Sequence, residues 1–299
     1  MGSASAVFVG LATLDLSYAV GRYPAEDSKT QADDLFLGAG GPAANAAVTY
    51  AFLSGRRPRL VTALGKHALA ELIREDLHRC GVEAVDLTPG ADRQPPVSSI
   101  IVATEAATRT IVSLDGSRIR PVLEDATGQL GSAAMVLVDG HYGEPALRIA
   151  AAARAAGIPV VLDAGRWRPI HAELLPLVDI AICSSAFEPP GVRSDSLDAV
   201  FDFLHAAGPD RAAISRGDHP IAYSAPSGRG KIAVHTGRAV DTLGAGDILH
   251  GAFCHFHGGG ADFATALTQA AEVATLSCGF VGTREWMRHF RERRDQSMR

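Results

Sequence analysis

The chain has 299 residues, 47% hydrophobic and 20% charged, with a formal net charge of −5. That length suits one large α/β domain or two average ones. The acidic balance argues against a large nucleic-acid footprint, and the apolar runs are too short and too often broken by charge to span a bilayer. No basic segment precedes an apolar stretch at the N-terminus, so no signal peptide is expected. Cys80, Cys183, Cys254 and Cys278 form no CxxC pair. Such spacing suits reduced, mostly buried thiols in a cytoplasmic protein and argues against a zinc site.

Ala6 to Leu11 is a short apolar run of the kind found in a buried strand, and it ends near Asp15. Polar residues there can face the ligand crevice of an open α/β sheet, or simply shape a turn. Residues 22–28, including Asp27, form a polar turn, and 29–37 alternate towards Leu35-Phe36-Leu37 as a short strand. Gly38-Ala39-Gly40-Gly41 follows. Pro42 can then open a helix over Ala43 to Leu53, because its missing N–H is one that has no helical acceptor there. Asn45 falls in the first turns of that helix, on the side of the glycine loop. The loop also fits the dinucleotide pattern GxGxxA, but no acidic residue for a ribose occurs from Leu35 to Ala70. Arg56, Arg57 and Lys66 keep an NADP reading open.

Leu60 to Leu64 reads as a second buried strand, and His67 to Cys80 as an amphipathic helix stopped by Gly81. Val97 to Val102 and Thr110 to Leu114 look like a hairpin. Arg109, in its turn, is either a solvated residue or an anion contact. Strands and helices then alternate. Strands at 134–138, 158–162, 180–183 and 212–214 end at Asp139, Asp163, Ser184-Ser185 and Ser215-Arg216-Gly217, with helices over 144–156 and 196–207 between. This rhythm predicts βαβ units, a parallel sheet and helices on both faces. It would gather Asp139, Asp163, Ser184, Ser215 and Asp247 along one sheet edge. Residues about 12–38 and 95–115 break the rhythm with short alternating strands that can pair as a small second sheet. Ala261 to Cys278 is a long alanine-rich helix, and the basic tail from Arg284 to Arg299 reads as a solvated surface helix.

The chemistry concentrates in Val240-Asp241-Thr242-Leu243-Gly244-Ala245-Gly246-Asp247, which an extended approach at Ile232 to Val234 precedes. Glycine lets backbone approach a ligand closely, and a helix starting there offers free N–H groups and a positive dipole end to an anion. A carboxylate beside such an anion hole suits proton transfer during phosphoryl transfer; the plain alternative is an Asp cap on a glycine turn. No GxxxxGK[ST] phosphate loop is present.

Gly40-Gly41-x-x-x-Asn45 and Asp241-Thr242-x-Gly244-Ala245-Gly246-Asp247, about two hundred residues apart, together resemble the two signatures of the ribokinase (PfkB) family of sugar kinases. The resemblance spans nearly the whole chain. Leu14-Asp15, Tyr23-Pro24-x-Glu26-Asp27-Ser28, Arg109-Thr110-Ile111 and Cys278-Gly279-x-x-Gly282 look most like its ketohexokinase branch. Gly-Gly-Pro-Ala-Ala and Lys29 also resemble sulfofructose kinases, but their sulfonate-binding arginine falls near His141 here. The resemblance implies a ribokinase-like α/β fold over residues 1–299: a three-layer αβα sandwich with a mainly parallel central sheet and a small β-sheet lid. It implies ATP-dependent phosphorylation of a primary hydroxyl of a ketose-like sugar. Asp247 would be the base, with Gly244, Ala245 and Gly246 as the anion hole. Asp15, Gly41, Asn45 and Arg109 would hold the sugar, joined by Asp27 from a partner subunit of a homodimer built through the lid. Ser215, Gly217, Thr242, Gly244 and Gly246 would lie by the ATP. Mg2+ would be organised through water by Glu188, although the family's Asn-x-x-Glu is here Ser185-x-x-Glu188. K+ would sit at the Asp241–Thr242 loop. The rival readings are a nucleoside (adenosine-type) kinase, with Tyr18, Phe36 or Tyr142 as a base platform, and a catalytically silent sugar-binding regulator.

Overall fold

The structure, a computed structural model, describes residues 5–297 other than 115, 194, 235 and 236. The chain opens with β1 (Ser5–Val9), β2 (Thr13–Val20), β3 (Asp34–Gly40), α1 (Pro42–Ser54), β4 (Arg59–Thr62), α2 (Ala68–Arg79) and β5 (Glu83–Asp86). There follow β6 (Val97–Ala103), β7 (Thr108–Leu114), α3 (Ala126–Leu130), β8 (Ala133–Val138), α4 (Gly143–Ala155), β9 (Val160–Ala164), α5 (His171–Leu174) and β10 (Ile180–Ser184). The last third contains α6 (Leu197–Ala207), β11 (Arg211–Arg216), β12 (His219–Ala225), β13 (Gly228–Ile232), α7 (Ala245–Gly258), α8 (Phe263–Ser277) and α9 (Glu285–Ser297).

The main sheet has the order β13-β12-β11-β10-β9-β8-β1-β4-β5. All its pairings from β11 to β5 are parallel, and the β12–β13 hairpin extends one edge in antiparallel fashion. Its central strands are buried on both faces, which requires the unbroken apolar runs seen in the sequence. Alternation divides them between two cores. Phe8, Leu137 and Ile182 pack with α1, α2, α7 and α8. Val7, Val9, Val136, Val138 and Leu162 pack with α4 and α6 on the opposite side. Three layers result, as expected for the ribokinase-like architecture.

The second sheet has the order β3-β2-β6-β7, with β2 and β6 parallel and the outer pairs antiparallel. These strands are the ones expected from residues 12–38 and 95–115. Asp15 lies inside β2, in the small sheet, and not at the end of the first strand. β1 ends at Val9, and Gly10 to Ala12 carry the chain across from one sheet to the other.

Strand order reverses between β1 and β8, since β1 continues to β4 on one side while β8 leads to β9 on the other. Open α/β sheets form their ligand crevice at such a reversal, outside the carboxyl ends of the strands. Here Gly10-Leu11 and Asp139 meet: Asp139 Oδ2 accepts from the Leu11 N–H at 2.9 Å and from the Ala43 N–H at 3.2 Å.

Some sequence expectations need correction. β5 has only four residues, flanked by acids, and reads as loop in isolation. The β12–β13 hairpin was hidden by Pro220, Gly228 and Gly230, residues tolerated at strand starts and sheet edges. The approach to the glycine turn leaves its strand at Ile232, short of Val234. The C-terminal tail is no detached solvated helix. Trp286 is completely buried, its ring edge-on to Phe52 at 5.2 Å, and its indole N–H donates to the Thr283 carbonyl. No helix among the described residues is long and apolar enough to cross a membrane, and all four cysteines are free.

Candidate active site

Asp247 sits in the first turn of α7, whose N-cap is Gly244 at φ 68°. A side chain would be strained in that left-handed conformation, and its Cβ would lie 2.8 Å from Thr283 Cγ2. The turn Asp241 to Gly244 thus swings the chain into a helix whose first N–H groups have no helical acceptor. Ala245 N donates back to Thr242 O at 3.3 Å, and Gly246 is exposed at the helix start. The sequence expectation of a helix start with a carboxylate beside it is met.

The partner of Asp247 comes from the other glycine motif. Asn45 Nδ2 donates to Asp247 Oδ2 at 2.8 Å across 202 residues of sequence. That meeting depends on a close crossing of α1 and α7. A Cβ on Gly251 would lie 2.2 Å from the Ala46 carbonyl oxygen, so only glycine permits the approach. Asn45 is 3% exposed. Gly41 caps α1 at φ 93° against the Leu11 carbonyl. Asp15, also buried, accepts from Thr13 Oγ1 at 2.5 Å and occupies the space a Cβ on Gly40 would fill. The glycine loop is therefore shaped around Asp15 of β2, and Asn45, in the helix that the loop opens, meets Asp247 of α7.

Charge in this crevice is crowded. Burial, with Asp163 nearby, pushes the Asp247 carboxyl up to about 7, against the lowering effects of Asn45 and His250. Burial likewise raises Asp15, partly offset by its hydrogen bonds to Thr13 and Ser98 and by the charge of Arg284. Asp163, in β9, is raised by burial, with His250 opposing; His250 Nδ1 stands 3.4 Å from Asp163 Oδ2. Asp139 goes the other way. Burial works against its charged form, but His141 and the N–H groups of His141 and Leu11 outweigh it and hold the carboxyl low. A cleft of about 430 Å³ adjoins this side, lined by His141, Tyr142 and Arg168 among others, without including Asp247.

The remaining candidates fall in several places. Arg109, in β7, reaches from the small sheet to the glycine turn, where its Nη1 donates to Thr242 Oγ1 at 2.5 Å. Asp241 is buried, and its two oxygens accept from the Leu243 and Gly282 N–H groups, each at 2.8 Å. It clasps the glycine turn to the chain after α8. Ser215 is the last but one residue of β11, beside Ser185, whose N–H donates to the Ser215 carbonyl, and Gly217 forms the following turn at φ 64°. Glu188 is exposed on the loop after β10. Asp27 lies in the exposed loop between β2 and β3, at φ 51°. Of the three possible base platforms, Tyr142 is buried in a small core with Leu11, Ala63 and Ile119. Phe36 lies under the Arg284 guanidinium at 5.8 Å, and Tyr18 is exposed.

Sequence reasoning missed Arg284. Its Nη1 donates to Asn45 Oδ1 at 3.1 Å and to Thr283 Oγ1 at 2.7 Å, and its Nη2 donates to the Ala39 carbonyl at 2.6 Å. Asp76 of α2 lies 3.6 Å away and accepts from the Ala39 N–H at 2.9 Å. Nothing in the basic tail sets this arginine apart from its neighbours.

A carboxyl that titrates near 7 beside a helix start, at the reversal point of a parallel sheet with a small second sheet attached, is an arrangement that can accept a hydroxyl proton and stabilise developing negative charge. Residues 3–289 match the model of the pfkB family carbohydrate kinases, and the chain belongs to that family. It is 25% identical over 293 residues to a ribokinase of Arabidopsis thaliana, covering 90% of this chain and 75% of that protein. A ribokinase of Bacillus subtilis is 26% identical over 266 residues, covering 85% and 88%. Among solved structures, the Arabidopsis thaliana ribokinase complexed with ribose and ATP superposes with a TM-score of 0.75 at 25% identity, over 93% of this chain and 94% of that one.

Proposed function

We propose that this carbohydrate kinase transfers the γ-phosphoryl group of ATP to a primary hydroxyl of a small sugar, with Asp247 as the base. The observation that carries this reading is the Asp247 carboxylate, raised to about 7 and held by Asn45 at the start of α7. A base that titrates near the working pH is poised to take a hydroxyl proton. The N–H groups at the helix start, around Gly244, Ala245 and Gly246, would stabilise the charge that develops on the transferred group, the Ala245 N–H giving up its long bond to Thr242. Asp15, Gly41 and Asn45 line the place for the sugar, and Ser215, Gly217 and Thr242 lie towards the nucleotide.

Ribose is the first substrate to test, because the relatives are ribokinases and one is solved with ribose and ATP. A ketose of the fructose type comes second, on the sequence resemblance of Leu14-Asp15 and Arg109-Thr110-Ile111 to ketohexokinases. The small sheet serves as the lid of a single kinase unit, and the Arg109–Thr242 bond is its latch to the glycine turn. Leu35, Leu37, Ile111, Val112 and Leu114 expose apolar surface on that sheet, which supports a homodimer through the lids, with Asp27 offered to the neighbouring site. The described residues contain no cluster of three or more metal-ligating side chains. Mg2+ would be carried on the nucleotide phosphates, where it would neutralise charge, and Glu188 would hold it through water. The oxygens of Asp241 retain lone pairs for K+ at the turn. A cytoplasmic location is the one where ATP would be at hand as the phosphoryl donor.

The test is ADP release from Mg-ATP with ribose, fructose, sulfofructose and adenosine, each with and without potassium. Sugar-dependent ADP release supports the reading. Release with adenosine alone would replace it with a nucleoside kinase, and silence with all four would favour a sugar-binding protein without turnover.

A further inference from the structure

We propose that Arg284 is a positioning residue that locks the Asn45 side-chain amide so that its N–H group always faces Asp247. The inference rests on the reading of Asp247 as the base and adds the residue that governs its hydrogen-bond partner.

An asparagine amide can turn over, exchanging a donor for an acceptor at nearly the same position. Next to a carboxylic acid that titrates, this freedom matters. When Asp247 is ionised, it needs a donor, and Asn45 Nδ2 supplies one at 2.8 Å. When Asp247 is protonated, it becomes a donor itself, and a free amide would turn its oxygen towards it. Turning over would stabilise the protonated, inactive acid.

Arg284 forbids the turn. Its guanidinium has donors only, and Nη1 points at Asn45 Oδ1 from 3.1 Å. With the amide reversed, two donors would face each other in a buried place. The fork itself is held from four directions: by the Ala39 carbonyl, by Thr283 Oγ1, by Asp76 and by the face of Phe36. The arginine side chain is 16% exposed, so it has little room to swing aside. The amide is pinned between a permanent donor and the base, and the ionised base receives the N–H bond in every turnover.

The arrangement also ties the base to the small sheet. Phe36 and Ala39 belong to β3, and Gly282 packs against Phe36 with only 3.2 Å to spare for a Cβ. The C-terminal turn at 282–284 thus braces β3 and the base at once.

The test reads the Asp247 titration without a sugar. Stability of the full chain is measured by urea unfolding between pH 5 and 9, for the wild type and for Asp247→Asn, and the same pair is made with Arg284→Met. The pH at which the Asn substitution stops gaining stability marks the folded titration point of Asp247. The other ionisable groups facing Asp247 are Asp163 from β9, His250 from α7 and Asp15 from β2, and all remain in every variant. The expected midpoint is about 7 in the natural background and about one unit higher with Arg284→Met. In an Asn45→Ala background, with no amide to orient, Arg284→Met should move the midpoint far less. An unchanged midpoint, or an equal rise without Asn45, would overturn the proposal, the second showing that the arginine acts through its charge alone. If Arg284→Met does not fold, Arg284→Lys replaces it; the single ammonium should raise the midpoint less than a unit, and no rise would again overturn the proposal. Absence of kinase activity would touch the proposed function and leave this titration unaffected.

Discussion

Asp247→Asn should make the protein more stable while removing its activity. The carboxyl titrates near 7 in the folded chain against an ordinary value of 3.8. A group whose folded value is raised binds more protons folded than unfolded, so stability falls as pH rises between the two values. Roughly three units at 1.4 kcal/mol each set an upper limit of about 4 kcal/mol. Partial exposure and sharing of the charge with Asp163 reduce this to about 2 kcal/mol. Asparagine keeps the shape and an acceptor for Asn45 without the charge. The variant should therefore gain about 2 kcal/mol at pH 8, worth roughly 4 °C in Tm for a chain of this size. The gain should shrink through pH 6 and 5 and vanish below pH 4. Turnover should fall by roughly 10²–10⁴, because only the proton acceptor is lost. Urea unfolding at pH 5 and 8, with ADP release at pH 8, measures both. A gain over the wild type no larger at pH 8 than at pH 5 would refute the electrostatic account of the site.

Other consequences follow from the same geometry. Below about pH 7, kcat/KM should drop tenfold per unit, since the base must be ionised; a flat profile to pH 5.5 would exclude Asp247 from that role. Gly251→Ala places a Cβ 2.2 Å from the Ala46 carbonyl. Forcing α1 from α7 should cost about 1–3 kcal/mol and, through a shift of about 1 Å between Asn45 and Asp247, roughly 10²-fold in turnover. Equal activity and stability would show that the crossing is not tight. Trp286→Ala should lose about 3–5 kcal/mol in urea unfolding, as for a fully enclosed aromatic residue. Asp241→Ala leaves the Leu243 and Gly282 N–H groups without their acceptor and should cost about 1–3 kcal/mol for each. Loss of potassium dependence alone, with stability intact, would make it a cation ligand and not a clasp.

The sequence carries the fold where local chemistry and tertiary need coincide. Val7, Val136 and Val160 lie in apolar runs because their strands are covered on both faces. The small sheet was legible from alternation in 29–37 and 97–114, although β7 is exposed along its whole length. The glycine motifs flagged Asn45 and Asp247 because a turn, a cap and a carboxylate at fixed spacing are local properties. What joins them is not local. The Asn45–Asp247 bond depends on Gly251, which in sequence is one glycine inside a helix. Arg284 looks like any cation of a basic tail until β3 folds beneath it, and Trp286 is one aromatic residue among charges. Asp241 reads as a loop acid because its two acceptor bonds reach forward by two and by forty-one residues. Asp15 reads in sequence as the end of the first strand but lies inside β2, since the crossover at Gly10 to Ala12 has no signal of its own.

The most direct measurement is ADP release from Mg-ATP with ribose and with fructose, run side by side for the wild type and Asp247→Asn at pH 8. The account predicts sugar-dependent release by the wild type and a loss of about 10²-fold or more in a variant that still binds ATP and is at least as stable. Sugar-dependent release that persists in Asp247→Asn would contradict it.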